Sequence, residues 1–251
     1  MAADRPERED YILDLLAKDG TLSVAALSHD LGVSQVTVRN HLRSLEDRGL
    51  LSRTWGGATV SSIKTVLERA VINSSQKDAI ARRAAALVRD GDRVMIEAGT
   101  TTALIPKHLA ERTGVHIVTN STLVFGAARN APGLEVTLTG GLFHRASESL
   151  VGPLAVRSIR GFNARLAFVG TDGFTLDRGM TTPFAEGAEV IEAMHERSEE
   201  TWLVADSSKY GRAGFVSVLR LSDLSGIIMD GGLPDDARQA IEEATPVVGT
   251  D

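Results

Sequence analysis

The stretch Ser34-Gln35-Val36-Thr37-Val38-Arg39-Asn40-His41-Leu42, just past Ser23–Leu31 and Gly32, decides how the chain begins to fold. It reads as the second helix of a helix-turn-helix, the element that enters the DNA major groove. Ser34 is placed to cap it, and Val38, Leu42 and Leu45 recur at helical spacing on an inward face. At about 100° per residue, Val36, Asn40, Arg43 and Asp47 point the opposite way. Gln35, Thr37 and Arg39 flank the N-terminal end, the part that meets base edges. The chemistry suits direct readout: Arg bonds guanine bidentately, Asn or Gln does so with adenine, and an exposed Val packs on a thymine methyl.

Working outward, Ile12, Leu15 and Leu16 give a first helix one apolar face, ended by Asp19-Gly20. Ser23 caps a second helix whose inward residues are Ala26, Leu27 and Leu31, and Gly32 supplies the tight turn. Leu50–Trp55, Gly56-Gly57 and Ala58–Val60 read as a hairpin, which makes the module a winged helix-turn-helix with Arg53 near phosphate. The expected DNA contacts are therefore Gln35, Val36, Thr37, Arg39, Asn40, Arg43 and Arg53, on double-stranded operator DNA.

Composition bounds the remainder. The formal charge of −6 argues against a protein that coats nucleic acid everywhere. Within residues 1–60, however, four of the seven basic residues (Arg39, Arg43, Arg48, Arg53) follow residue 38, whereas most of the acids precede residue 31, so positive charge is segregated onto the reading element. Aromatics make up only 4%, too few for a platform that stacks single-stranded bases. There are no cysteines, which excludes disulfides, thiolate catalysis and cysteine-ligated zinc, and suits a cytoplasmic protein. No apolar run approaches the roughly 20 residues of a membrane helix, and residues 1–10 lack a secretory signal's apolar region. The six histidines show no metal-ligand spacing; neither metal nor cofactor is expected.

Residues 61–76 are polar and weakly patterned, a linker with one short helix over Thr65–Val71. From 77 to 251, strand-like runs alternate with helical segments. The strands are Arg93–Ala98, Val115–Thr119, Glu135–Thr139, Leu166–Gly170, Thr201–Asp206, Gly226–Met229 and Pro246–Val248. The helices are Lys77–Arg89, Thr102–Arg112, Thr122–Asn130, Pro153–Arg160, Ala185–Arg197 and Asp235–Ala244. The expectation is an α/β chain: a winged helix-turn-helix over 1–60 and a larger, mainly parallel α/β domain over 77–251.

Ligands of such sheets bind beyond the carboxyl ends of the strands. Glu97-Ala98-Gly99-Thr100-Thr101-Thr102 joins a strand to a helix there. Its glycine lets the backbone approach a ligand, and its successive amides and hydroxyls favour an anion. It has no Walker lysine, so a nucleoside triphosphate is disfavoured. Thr119-Asn120, Gly140, Asp172 and Lys209 stand at the other strand ends, with Lys209 to pair a phosphate and Asn120 or Asp172 to bond sugar hydroxyls. The expected effector set is Gly99, Thr100, Thr101, Thr102, Thr119, Asn120, Gly140, Asp172 and Lys209.

The reader resembles the DeoR family of bacterial repressors through Ser34, Thr37-Val38-Arg39, Leu42, Leu45, Gly49 and Gly56-Gly57-Ala58. The resemblance continues through Lys77-Asp78-Ala79-Ile80-Ala81, Ala98–Thr101, Thr119–Ser121, Gly140-Gly141, Gly152-Pro153, Phe168–Gly173, Gly179–Thr182 and Asp206–Lys209, and covers nearly the whole chain. It implies an effector domain of the sugar-phosphate isomerase type, and a homo-oligomeric repressor, dimer or tetramer, of a carbohydrate operon controlled by a phosphorylated sugar or related metabolite. The chain departs from the family at Asn40-His41, where arginine and aspartate are usual, at Glu97 in place of aspartate, and at Ile191-Glu192 in place of a commonly basic pair. The alternative is a sugar-phosphate isomerase with an appended reader. The similar ribose-5-phosphate isomerases carry an acid after the motif matching Asp172, where this chain has Gly173, so no catalytic residue is assigned and a sensor rather than an enzyme is expected.

Overall fold

The computed structural model describes residues 8–9, 11–12, 15, 21–47, 51–54, 57–60 and 66–250. The chain separates into two compact units, Met1–Arg69 and Ala70–Asp251. Leu16, Asp19 and Gly20, expected to complete the first helix, lie outside the described residues.

In the first unit, β1 (Thr21–Ser23) leads into α1 (Val24–Asp30), where the Ser23 hydroxyl accepts the Ala26 amide at 3.1 Å. Gly32 then turns the chain at φ +63°, a left-handed conformation that favours glycine. The long helix α2 (Gln35–Asp47) follows, then β2 (Leu51–Thr54) and β3 (Gly57–Val60), which pair antiparallel as the wing. β1 adds to β3 as a third strand. Ile12, Val24, Leu27, Val38, Leu42 and Leu45 form the core. Ala26 is exposed rather than inward. The helix starts at the expected Ser23 cap, but Val24, three residues before Leu27, shares its inward face and takes that position.

The stretch 61–76 contains α3 (Val66–Val71) and the start of α4 (Ser74–Ala85), so the helix expected from Lys77 begins three residues earlier. Beyond it come β4 (Arg93–Ile96), a 3-10 helix (Thr102–Leu109), β5 (Val115–Thr119), α5 (Thr122–Ala128) and β6 (Leu134–Leu138). The hairpin of β7 (Leu142–His144) and β8 (Ser149–Val151) then leads to α6 (Pro153–Arg160) and β9 (Ala164–Val169). Next are β10 (Gly173–Thr175), β11 (Gly179–Thr182), α7 (Ala185–Glu196) and β12 (Ser198–Val204). The chain ends with β13 (Val216–Ser217), β14 (Gly226–Met229), α8 (Asp235–Glu242) and β15 (Val247–Gly249). Thr102–Arg112, expected as an α-helix, winds instead as a 3-10 helix carrying Pro106, whose ring removes a backbone donor.

Seven strands form one parallel sheet in the order β15-β14-β12-β9-β4-β5-β6. Both faces are covered, so apolar residues occupy both sets of alternate positions. Val94, Ile96, Leu166 and Phe168 pack with Ile80, Ala84, Ile105 and Leu109 on one face. Met95 and Ala167 meet Ala155, Ile159, Val190 and Met194 on the other. Among the described residues no helix is long and apolar enough to cross a membrane.

The order reverses beside β4. The chain moves outward through β5 and β6, then returns to the other side of β4 as β9 and continues outward through β12, β14 and β15. At the amino ends of the two strands flanking that reversal, Arg165 holds Asp92 through Nε at 3.0 Å and the Leu87 carbonyl at 2.7 Å. The guanidinium keeps the Asp92 carboxyl below the ordinary carboxylate range, despite burial. Arg165→Ala leaves that carboxylate in a mostly covered site without its partner. It should lower unfolding free energy by about 1.5–3 kcal/mol in urea titration, and a loss below about 0.5 kcal/mol would show that the pair is not a structural pin.

Candidate functional site

Two surfaces carry candidate chemistry, one in each unit. On α2, Gln35, Val36, Arg39, Asn40 and Arg43 are exposed, with Val36 64% open to solvent, while Val38 and Leu42 are buried. Arg39 Nη2 donates to Gln35 Oε1 at 3.3 Å, one helical turn away, which aligns a forked donor and an amide on the same edge. Thr37 differs from this group. It is half-buried, its amide donates to Ser34 Oγ at 3.1 Å and the two hydroxyls lie 2.9 Å apart, so its first role is in the helix cap. Arg53 stands on wing strand β2, and its side chain lies outside the described residues. His41 is turned to the core, where its Nδ1 approaches Glu9 Oε1 at 3.5 Å with both side chains 7% exposed.

In the second unit the carboxyl ends of β4 and β9 lie side by side where the strand order reverses, the position at which such sheets open a crevice. Glu97 bridges the two loops: its amide donates to the Phe168 carbonyl at 2.9 Å and its Oε2 accepts the Gly170 amide at 3.2 Å. Next to it, Ala103 N and the Thr102 hydroxyl both donate to the Gly99 carbonyl, each at 3.1 Å. A Cβ on Gly99 would stand 2.9 Å from Thr102 Oγ1, so the turn closes this tightly only on glycine. Among the described residues the amides of Gly99, Thr100 and Thr101 have no hydrogen-bond partner.

Not every expected ligand residue is free to meet a ligand. Thr119 is fully buried; its hydroxyl donates to the Ile96 carbonyl at 2.6 Å and accepts the Ser121 amide at 3.0 Å. Asn120 is 1% exposed and both ends of its amide are engaged, Oδ1 by Ala98 N and Nδ2 by the Leu150 carbonyl, each at 3.2 Å. Thr102 is fully buried with its hydroxyl in the turn. These three hold the loops in shape. Gly140 lines a hollow of about 300 Å³ with Leu154, Arg157 and Ser158. Asp172 is half-buried in the loop after β9, its amide bonded to the Thr181 carbonyl at 3.2 Å.

Beyond β12, Asp206 is 2% exposed. Burial pushes its carboxyl up, but hydrogen bonds from Ser208 and Asn73 and the nearby charges of Lys209 and Lys77 outweigh it and hold it below the ordinary range. Lys77, 4% exposed, was named only within a motif of the family resemblance and not as a site residue. Its signal was there: a lone cation on the stripe shared by Ile80, Ala81 and Ala84 at helical spacing. Lys77 and Lys209 thus both stand beside the Asp206 carboxylate at this strand end, with the Asp230 carboxylate bonded to the neighbouring Ser207.

One residue from Lys77, Asp78 pins α4 to the 3-10 helix through Lys107 at 3.1 Å and His108 at 3.0 Å, and also accepts from Arg82 at 3.0 Å. Burial raises its carboxyl, but the bonds from Lys107, His108 and Arg82 outweigh it and hold the pKa at about 2. A depressed carboxylate stabilises the fold above its unfolded value of 3.8, and the contribution is lost as pH falls towards about 2. Asp78→Asn should therefore be less stable at neutral pH and show a flatter loss of stability in that acid window, read by denaturation at a series of pH values; equal slopes for the two proteins would refute the assignment.

Residues 8–64 match the DeoR-like helix-turn-helix domain, and residues 72–231 match the DeoR C terminal sensor domain. The chain is 38% identical to the HTH-type transcriptional regulator GlpR of Haloferax volcanii, over 95% of this chain and 94% of that one. It is 33% identical to a putative aga operon transcriptional repressor of Escherichia coli O157:H7, over 95% and 91%. Among solved structures, ribose 5-phosphate isomerase A of Methanocaldococcus jannaschii overlays 55% of each chain with a TM-score of 0.42 and 17% identity. A reader and a sensor family in tandem, with full-length relatives on both sides of the division, place the chain in the DeoR family of helix-turn-helix transcriptional regulators.

Proposed function

We propose that the chain is a repressor of a carbohydrate-metabolism operon that reads double-stranded operator DNA with α2 and is switched by a phosphorylated sugar bound at the β4/β9 crevice. The observation that carries the effector half is the run of open amides at Gly99, Thr100 and Thr101, placed at the reversal of strand order. Oriented N–H groups around a glycine turn favour an anion without needing a Walker lysine. Lys209 follows β12, two strands from β4, about 10 Å across the sheet. In this reading the amides and Lys209 take the phosphate, with Lys77 adding charge, and Asp172 bonds sugar hydroxyls. Gly140 extends the crevice wall, and Thr102, Thr119 and Asn120 act by shaping the loops. The relative named as an aga operon repressor supports repression as the direction of control.

On the DNA side, Gln35, Arg39 and Asn40 read base edges, Val36 a thymine methyl, and Arg43 and Arg53 phosphates, with Thr37 supporting from the cap. The reader spans 1–60, the linker 61–76 and the sensor 77–251. The protein works in the cytoplasm as a dimer or tetramer that sets two recognition helices in successive major grooves.

Selection of genomic DNA fragments on the purified full chain should enrich one repeated motif. A thermal-shift panel of inorganic phosphate, glycerol 3-phosphate, ribose 5-phosphate and fructose 6-phosphate should then raise the melting temperature with a phosphorylated polyol or sugar. Arg39→Ala should weaken binding to the selected motif about tenfold and relax preference at one base pair; unchanged specificity would remove Arg39 from the readout. Lys209→Ala should bind the motif within about twofold of wild type yet lose most of the phosphosugar response, and a normal response would move the anion site elsewhere.

A further inference from the structure

We propose that Asn73 is the positioning residue that passes occupancy of the crevice to the chain leading to the reader, through its hydrogen bond to Asp206. This rests on the effector reading above and adds the link by which that site acts. Asn73 Nδ2 donates to Asp206 Oδ1 at 3.0 Å across 133 residues of sequence. Asn73 stands at the amino end of α4, three residues after Ala70, where the second unit begins.

Its local geometry gives up what an asparagine offers there. Asparagine is among the best helix N-caps, and a cap residue has extended backbone and accepts an amide from the first turn. Here φ is +53° and ψ +38°, and the side chain makes no cap hydrogen bond. The backbone carbonyl accepts Lys77 N at 3.0 Å, so the helix starts normally, but the amide is directed to Asp206. Asparagine enters the left-handed region more readily than most residues, and in that conformation its side chain is spent on the long-range bond rather than on the cap.

Asp206 is suited to report occupancy. Its carboxylate is shared among Asn73, the Ser208 amide at 3.2 Å and the Ser208 hydroxyl at 2.5 Å, beside Lys209 and Lys77. An anion that engages Lys209 withdraws positive charge from Asp206, and the carboxylate then depends more on its remaining donors, Asn73 first among those on another element. The start of α4 is thereby set differently in the filled and empty crevice. α3, the segment directly preceding it, carries that difference towards the reader. A ligand shifts such an equilibrium only through unequal affinity for the two arrangements, and this bond is where the inequality arises.

The test uses the full chain, the DNA motif it selects, and ribose 5-phosphate or fructose 6-phosphate, whichever gives the larger thermal shift with wild type. Asn73→Gly keeps a residue at ease with positive φ and removes the amide; Asn73→Asp keeps the size and sets a carboxylate against Asp206. Wild type should change its affinity for the motif about tenfold on adding the phosphosugar. Both variants should keep the wild-type thermal shift and bind the motif, yet change affinity less than about twofold. A wild-type response in Asn73→Gly overturns the proposal. Loss of its thermal shift also overturns it, because Asn73 would then belong to binding rather than coupling. No response in wild type to either sugar would instead defeat the effector reading, and this link with it.

Discussion

Seven strands that all run the same way must end along one edge, and the reversal beside β4 opens that edge at one place. On one side the crossovers through the 3-10 helix and α5 cover one face; on the other, α6 and α7 cover the opposite face. Loops leaving β4 and β9 therefore diverge. Glu97 ties them together by accepting the Gly170 amide.

Around the crevice, polar groups divide into those consumed by the fold and those left open. Thr119, Asn120 and Thr102 satisfy backbone groups that burial would otherwise leave unpaired. Asn120 in particular ties the cradle to the β7–β8 hairpin through Leu150, with the Leu150 amide returning a bond at 2.7 Å. With those side chains fixed, the amides of Gly99 to Thr101 keep a set direction without partners of their own. Preorganised dipoles of this kind bind charge with little reorganisation. The same division holds on α2, where Thr37 closes the cap and Gln35, Val36, Arg39, Asn40 and Arg43 stay exposed.

His41 shows how a family departure is absorbed. It occupies a buried position of α2 beside Glu9, while Asn40, the other departure, remains on the exposed face. One change therefore alters the module's interior and the other its reading edge, although they are neighbours in sequence. Helical geometry sends adjacent residues about 100° apart, so adjacency in the chain says little about shared role.

What the sequence determined by itself was whatever neighbouring residues encode at short period. Val38, Leu42 and Leu45 announced α2, the apolar runs announced the sheet, and Gly99 within a run of threonines announced a turn able to approach an anion. The short strands β10, β11 and β13 and the β7–β8 hairpin escaped notice, because two to four residues are too few to show a period. Tertiary structure alone decided that Thr119 and Asn120 are consumed inside, that Lys77 stands beside Asp206, and that Asn73 reaches a carboxylate 133 residues away. The reason is that periodicity reports which face a residue occupies, whereas the partner it meets there is set by strand order, and strand order is a property of the assembled sheet.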